Sequence, residues 1–150
     1  ELPRLRNPIY AGIANERLTA MVIADGHHLP ESVLKTIIRA KGTDKVAVVS
    51  DASSLAGMPP GRYYALSNDV VLEENGLLHN PVKKCMVGSS FTMLKCMNHL
   101  AKLGWVTPGE MVQLGYDNPL ALIGRGPADL RPGKQTVKWD DASRRWVLTA

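Results

Sequence analysis

Residues 18–28 are Leu18-Thr-Ala-Met-Val-Ile-Ala-Asp-Gly-His-His28, and this stretch decides the fold class of the chain. Its apolar run has the length of a strand and stops at Asp25. A run that is apolar on both faces is typical of a buried parallel strand. A second run of this kind, Lys45-Val-Ala-Val-Val49, ends in Ser50 and Asp51. Between the two runs, apolar residues recur at helical spacing from Val33 to Ile38. Residues 18–52 are therefore predicted to form a β-α-β unit.

Shorter elements are predicted on either side of this unit. A helix is expected over residues 11–17, after an irregular start that contains Pro3 and Pro8. Two short strands are expected at 62–66 and 69–72. The Asn75-Gly76 pair that follows them is a signal for a hairpin turn.

The C-terminal half is predicted to contain two longer helical segments and a hairpin. The first helix has Ser90 as its N-cap and Gly104 as its stop. The second begins at the capping box Thr107–Glu110. It is expected to end before Asn118-Pro119, because a residue that precedes proline is biased away from helical backbone. A last short helix is expected from Pro119 to Ile123, with Gly124 as its stop. Residues 135–139 and 145–148 are predicted to pair as a terminal hairpin.

The composition narrows the classes of function. Of the 150 residues, 45% are hydrophobic and 21% are charged, which is ordinary for a globular domain. Aromatic residues make up only 5%, and the basic residues behind the net charge of +4 are scattered, so nucleic acid is not expected as a partner. No apolar run reaches the roughly 18 residues of a membrane span, so no membrane partner is expected either. The two cysteines fit reduced thiols and a cytoplasmic location.

Polar residues follow both predicted strands at their carboxyl ends, where sites form in α/β folds. One end offers Asp25, His27 and His28, and the other offers Asp51. Because a single β-α crossover separates them, they are expected at one edge of the sheet. A helix-capping aspartate and a surface histidine turn remain the alternative interpretations. Two histidines and two aspartates without paired metal-ligand spacing are too few for a zinc site built by this chain alone.

The order of short motifs along the chain resembles that of one enzyme family. The motifs are Ile23-Ala-Asp-Gly-His-His28, Lys41-Gly, Val49-Ser-Asp51-Ala, Ala56-Gly57, Gly61-Arg-Tyr, Val87-Gly-Ser-Ser90 and Asn118-Pro119. From Arg6 to Gly133 the chain resembles the C-terminal part of the N-acetylglucosamine-6-phosphate deacetylases and their relatives in the amidohydrolase superfamily. The family more often has Thr-Asp-Ala where this chain has Ser50-Asp51-Ala52.

The resemblance implies an α/β fold. The chain would be a C-terminal fragment of a (β/α)8 barrel of the TIM type, with strands of a small accessory β-sandwich. Residues 1–57 and 86–124 would form the last two barrel strands and their helices. Residues 58–85 and 125–150 would form the accessory strands. The earlier barrel strands would precede Glu1.

The resemblance also assigns roles to five residues. Asp51 matches the catalytic aspartate, expected to act as general base toward a metal-bound water and then as general acid toward the leaving amine. It is also the candidate metal ligand in this chain. His28 matches the histidine that contacts the sugar, and Gly88 and Ser89 match a loop whose backbone approaches it. Arg6 matches an arginine that binds the sugar phosphate, often across a dimer, although Asn7 departs from the family's glutamate.

Three functions follow as hypotheses. The first is metal-dependent deacetylation of N-acetylglucosamine 6-phosphate or a similar N-acyl amino sugar, with zinc or iron in the complete enzyme and a homo-oligomeric assembly. The family's other metal ligands would lie before Glu1, so the fragment alone is expected to be inactive and to hold no metal. The second is a non-catalytic half-barrel that self-associates or binds ligand without turnover. The third is an amidohydrolase with another amide substrate.

Overall fold

The computed structural model describes residues 3–4, 6–65, 67–131 and 133–149. In chain order the helices and strands are α1 (Pro8–Ala14), β1 (Ala20–Ile23), α2 (Glu31–Lys41), β2 (Val46–Val49), β3 (Gly61–Ala65), β4 (Asn68–Leu72), β5 (Leu78–Asn80), β6 (Cys85–Met86), α3 (Met93–Leu103), α4 (Pro108–Val112), α5 (Asn118–Leu122), β7 (Thr136–Asp140) and β8 (Arg145–Thr149). No described helix is long and apolar enough to cross a membrane.

The predicted β-α-β unit is confirmed. Strands β1 and β2 are parallel, in a register that pairs Ala20 with Val46 and Ile23 with Val49, and α2 connects them. Side chains alternate between the two faces of a strand. Val22 and Val48 therefore lie on the same face, where both join the main core. The core residues that α2 and α3 contribute include Leu34, Ile38, Cys96, Met97, Leu100 and Ala101.

Burial on both faces of β1 was predicted, and this is wrong for the described part of the chain. Met21 lies on the face opposite Val22 and is 68% exposed. Within the described ranges, β1 and β2 pair only with each other. Two parallel strands cannot close a sheet on itself, so the described residues form an α/β unit and no barrel. The division of the chain into barrel and accessory residues stays a prediction.

The predicted strands near 62–72 belong to a second, antiparallel sheet in the order β3-β4-β5-β6. It has a small core of its own around Val70, Leu72 and Leu78. The predicted terminal hairpin is confirmed as β7 paired with β8. Trp146 of this hairpin packs against the main core. Its backbone exchanges two hydrogen bonds with the Asn98 side chain, at 2.7 and 3.0 Å.

Three predicted helix boundaries are wrong, each because a capping or anchoring group acts elsewhere. Helix α1 begins at Pro8, because the Asn7 side chain caps it by accepting hydrogen bonds from the Ile9 and Tyr10 N–H groups. Helix α3 is capped by Thr92 rather than by Ser90. The helix that starts at Thr107 does not stop before Asn118. It continues through a π-helical turn at 113–117 into α5, which agrees with the short helix predicted at 119–123. The Asn118 side chain donates to the Thr43 and Val46 carbonyls at 2.6 Å.

Candidate active site at the carboxyl ends of the parallel strands

The loop after β1 is organised around the carboxylate of Asp25. This residue is 3% exposed and lies two positions beyond the strand. Its Oδ1 accepts the backbone N–H groups of His27 and His28, at 2.9 and 3.0 Å, and its Oδ2 lies 2.8 Å from Nδ1 of His28. Burial alone raises the pKa of Asp25, but these hydrogen bonds outweigh it and the pKa lies below the ordinary 3.8. The carboxylate is therefore ionised at neutral pH.

The loop after β2 places Asp51 at the matching position. Asp51 lies two residues beyond β2, and the pairing of Ile23 with Val49 makes it the counterpart of Asp25. Its side chain is exposed, and its backbone has a φ of +47°, in the left-handed region that few residues other than glycine adopt. An exposed carboxylate on an unusual backbone at a strand end is a candidate for chemistry.

The structure brings the Gly88–Ser89 loop against Asp51. The Ser89 N–H donates to the Asp51 carbonyl at 3.1 Å, and the Ser53 N–H donates to the Ser89 carbonyl at 2.8 Å. Ala52 and Ser89 thereby form a short parallel bridge. Ser89 is 1% exposed, and its Oγ accepts the Phe91 N–H. The polar groups of Ser89 thus hold the loop in place, and Gly88, with a φ of +70°, is the loop residue beside Asp51.

Arg6 lies apart from these groups. It is exposed and precedes α1, which runs beside α2 in the same direction. The Lys41 amine donates to the Asn15 carbonyl at one end of this pair, and Arg4 lines a surface cavity with Ser32 at the other. The start of α2 follows the β1 loop. Arg6 therefore belongs to the same end of the unit as His28, but no described contact joins the two.

The sequence pair His27-His28 is divided between two environments. His28 is held by Asp25, whereas Nε2 of His27 lies 3.1 Å from the Asn75 carbonyl in the second sheet's turn. His27 lines a cavity of about 520 Å³ together with Asp25 and His99, and His28 and Asp51 are not among its lining residues. His27 and His28 therefore have different partners despite their adjacency.

His99 is a cavity residue for which the sequence carried no specific signal. It lies on α3, and its ring packs under Gly26, where an added Cβ would come within 2.5 Å of the ring. Burial lowers the pKa of His99 below its ordinary 6.5, so the folded chain favours the neutral ring. Its helical spacing alone could not place it beneath a loop more than seventy residues earlier.

The described residues do not provide the ligand set that a divalent metal needs. No three histidine, cysteine, aspartate or glutamate side chains in the described ranges are grouped to hold a metal. Asp25, the nearest acidic partner of His28, already uses both oxygens in hydrogen bonds. A metal of the kind that the family resemblance implies would need ligands from other residues.

The fold and the strand-end positions are those of an α/β domain. Asp25 and His28 follow β1 and Asp51 follows β2, at the carboxyl ends of the parallel strands, where sites form in α/β folds. In agreement, the fold is similar to that of an N-acetyl-D-glucosamine-6-phosphate deacetylase from Mycobacterium smegmatis. That likeness has a TM-score of 0.77 and 21% identity, and it covers 94% of this chain and 41% of the other.

Two proteins of known sequence are similar to this chain over most of its length. The chain is 26% identical over 127 residues to the "Putative N-acetylgalactosamine-6-phosphate deacetylase" of Escherichia coli K12, with 83% of this chain and 74% of that one covered. It is equally similar to the N-acetylgalactosamine-6-phosphate deacetylase of Escherichia coli O157:H7, of which it spans 33%. No family model matches the chain. The resemblance stated from the sequence motifs is confirmed: the sequence and structural relatives of this chain are amino-sugar-6-phosphate deacetylases.

Proposed function

We propose that this chain takes part in the hydrolysis of the N-acetyl group of an N-acetyl amino sugar 6-phosphate, with Asp51 as the proton-transfer residue. The observation that carries the proposal is the position of Asp51, exposed at the end of β2 and level with the Asp25–His28 pair at the end of β1. The names of the relatives supply the substrate class, a phosphorylated amino sugar.

The chemistry asked of Asp51 is a proton relay. In amide hydrolysis the water oxygen bonds to the acetyl carbon, the C–N bond breaks, and the water proton ends on the leaving amine. A carboxylate that accepts this proton and returns it to nitrogen serves both steps. The Asp51 side chain has no hydrogen-bond partner in the described part of the chain, which leaves both oxygens free for water and substrate. The residue thus combines exposure with a free acceptor.

The neighbouring groups would bind the sugar. His28 offers a ring nitrogen at the same sheet edge, and Gly88 offers backbone without a side chain beside Asp51. Arg6, at the same end of the molecule, would contact the phosphate from its own or a second subunit. Zinc or iron would be held by ligands that come largely from residues other than those described, with Asp51 as this chain's contribution.

The test is acetate release from N-acetylglucosamine 6-phosphate and N-acetylgalactosamine 6-phosphate, measured with the purified chain with and without added Zn²⁺ or Fe²⁺. Asp51→Asn should lower the rate by about 100-fold or more, the usual contribution of a general acid–base group. Asp69→Asn is the matched control, since Asp69 is an exposed aspartate on β4. Acetate release that survives in Asp51→Asn would overturn the proposal. If no acetate is released, binding of the two sugar phosphates to the purified chain decides, and a chain that binds neither would overturn it as well.

A second candidate is self-association or ligand binding without turnover, favoured by the open sheet. In the described residues β1 and β2 have no further strand beside them, and Met21 is 68% exposed on one face. Unpaired strand edges next to apolar side chains favour pairing with another chain. Light scattering after size exclusion should then show a dimer that Met21→Lys weakens. Val82→Lys, at an 84% exposed turn residue, should not change the mass. A monomer at all concentrations excludes self-association.

A further inference from the structure

We propose that Asp25 is a positioning residue that fixes His28 as the tautomer with its proton on Nδ1, so that Nε2 presents a lone pair to a hydroxyl group of the ligand. The inference rests on the proposed function for the identity of that ligand, a sugar. Its geometry stands on the described contacts alone. The residue assigned is Asp25, which touches the ligand only through His28.

The tautomer follows from the hydrogen bond between the two side chains. Oδ2 of Asp25 and Nδ1 of His28 are 2.8 Å apart. An ionised carboxylate can only accept, so the proton of a neutral imidazole must lie on Nδ1. The lowered pKa of Asp25 keeps this carboxylate ionised. The other ring nitrogen, Nε2, is then an acceptor.

The pair is held rigidly enough to act as an orienting device. Oδ1 of Asp25 receives two backbone N–H groups, from His27 and from His28 itself, so the carboxylate cannot turn without losing three hydrogen bonds. Asp25 is 3% exposed, and at that burial each lost bond leaves a polar group without a partner. The ring of His28 is therefore fixed relative to the end of β1.

The free nitrogen of His28 is available to a ligand. The His28 side chain is 21% exposed. In the described ranges Nε2 has no hydrogen-bond partner from the protein. It is not a buried unpaired atom either, so solvent or a ligand can reach it. His27 is different, because its Nε2 is already placed against the Asn75 carbonyl. Of the two histidines, His28 alone combines a carboxylate on one nitrogen with a free second nitrogen. A sugar hydroxyl is a donor that matches it.

The experiment is a long-range ¹H–¹⁵N spectrum of the uniformly labelled chain at about pH 8.5, where imidazoles are neutral. His28→Gln assigns the His28 signals by their loss. In the unchanged chain, Nδ1 of His28 should show the shift of a protonated nitrogen and Nε2 that of an unprotonated one. This spectrum decides the tautomer even where variants at Asp25 fail to fold. A proton on Nε2, or a mixture of tautomers, would overturn the proposal.

Asp25→Asn tests the cause. In this variant the carbonyl oxygen of the new amide would keep the two backbone N–H groups, and its N–H would face Nδ1 of His28. The ring proton should therefore move to Nε2, as it does in other carboxylate–histidine pairs. Asp69→Asn should leave the His28 tautomer unchanged. If Asp25→Asn folds and the His28 signals do not change, Asp25 does not set the tautomer.

Ligand binding separates this inference from the proposed function. With N-acetylglucosamine 6-phosphate as the probe, Asp25→Asn should raise Kd or KM by about tenfold, because the ligand hydroxyl loses its acceptor. A catalytic loss without a change in KM would contradict a positioning role. The predicted tautomer in a chain that binds neither sugar phosphate would keep this inference and reject the proposed function. Acetate release by a chain with the opposite tautomer would reject this inference and keep the proposed function.

Discussion

Gly26 lies between Asp25 and His27 and packs on the imidazole ring of His99. Its φ is +78°, and a Cβ built on it would lie 2.5 Å from Cε1 of His99. Gly26→Ala therefore has two separate costs. Left-handed backbone costs an alanine about 1–2 kcal/mol. Forcing a methyl group into a packed contact costs about 1–3 kcal/mol more. The sum, about 2–5 kcal/mol, is large for a domain with a total stability of about 5–15 kcal/mol.

The chain provides a control that separates these costs. Gly104 has nearly the same φ, +75°, but an added Cβ would meet nothing within 4 Å, so Gly104→Ala should lose only about 1–2 kcal/mol. In a His99→Ala background, the penalty of Gly26→Ala should fall to the same value, because the ring that causes the clash is gone. Urea unfolding followed by circular dichroism measures all four variants. Equal losses for the two glycines, or a penalty that persists without His99, would show that Gly26 is not packed on that ring.

Three further predictions concern titration, burial and the core. Burial lowers the pKa of His99 in the folded chain, so the unfolded chain binds the proton first as the pH falls below 6.5. The free energy of unfolding in urea should therefore rise with pH up to about 6.5, and His99→Asn should flatten this slope. An unchanged slope would show that other groups cause it. Burial and the charge of Asp25 raise the pKa of the Cys96 thiol to about 12, and Cys96 is 0% exposed. A thiol reagent should therefore label only the exposed Cys85 until the chain unfolds. Rapid labelling of both cysteines in the folded chain would contradict this. Leu100→Ala should cost about 2–5 kcal/mol in thermal or urea unfolding, while Leu148→Ala, at a half-exposed position, should cost far less; similar losses would place the core elsewhere.

The parts of the fold that were predictable depend on signals within a few residues. The two apolar runs and the helix between them predicted β1, α2 and β2, because strand and helix periodicities are local. The capping box at Thr107 and the stop at Gly104 are confirmed for the same reason. The stop before Asn118 was wrong, since the Asn118 side chain bonds two carbonyls more than seventy residues earlier, and no local pattern reports such a contact.

The candidate site divides in the same way. The two apolar runs placed His28 and Asp51 at strand ends, and the family resemblance placed Gly88 in a loop near the substrate. The structure brings Gly88 beside Asp51. The separation of His27 from His28 was not predictable, because His27 bonds to Asn75 in another sheet while His28 turns back to Asp25. The roles of these residues, and that of Arg6, stay predictions.

The sequence by itself determined where the parallel strands end and which polar residues follow them, since both depend on residue type and short-range order. It also carried the resemblance that the comparisons confirm. Only the tertiary structure decided that Asp25 is buried and bonded to His28, that the Ser89 loop bridges to Ala52, and that His99 lies under Gly26. The contacts that link separate segments depend on how β1, α3 and the second sheet pack together. Such packing is a property of the folded chain as a whole. Each long-range contact requires the chain between its two residues to close into a loop, at an entropic cost that the rest of the packing must offset.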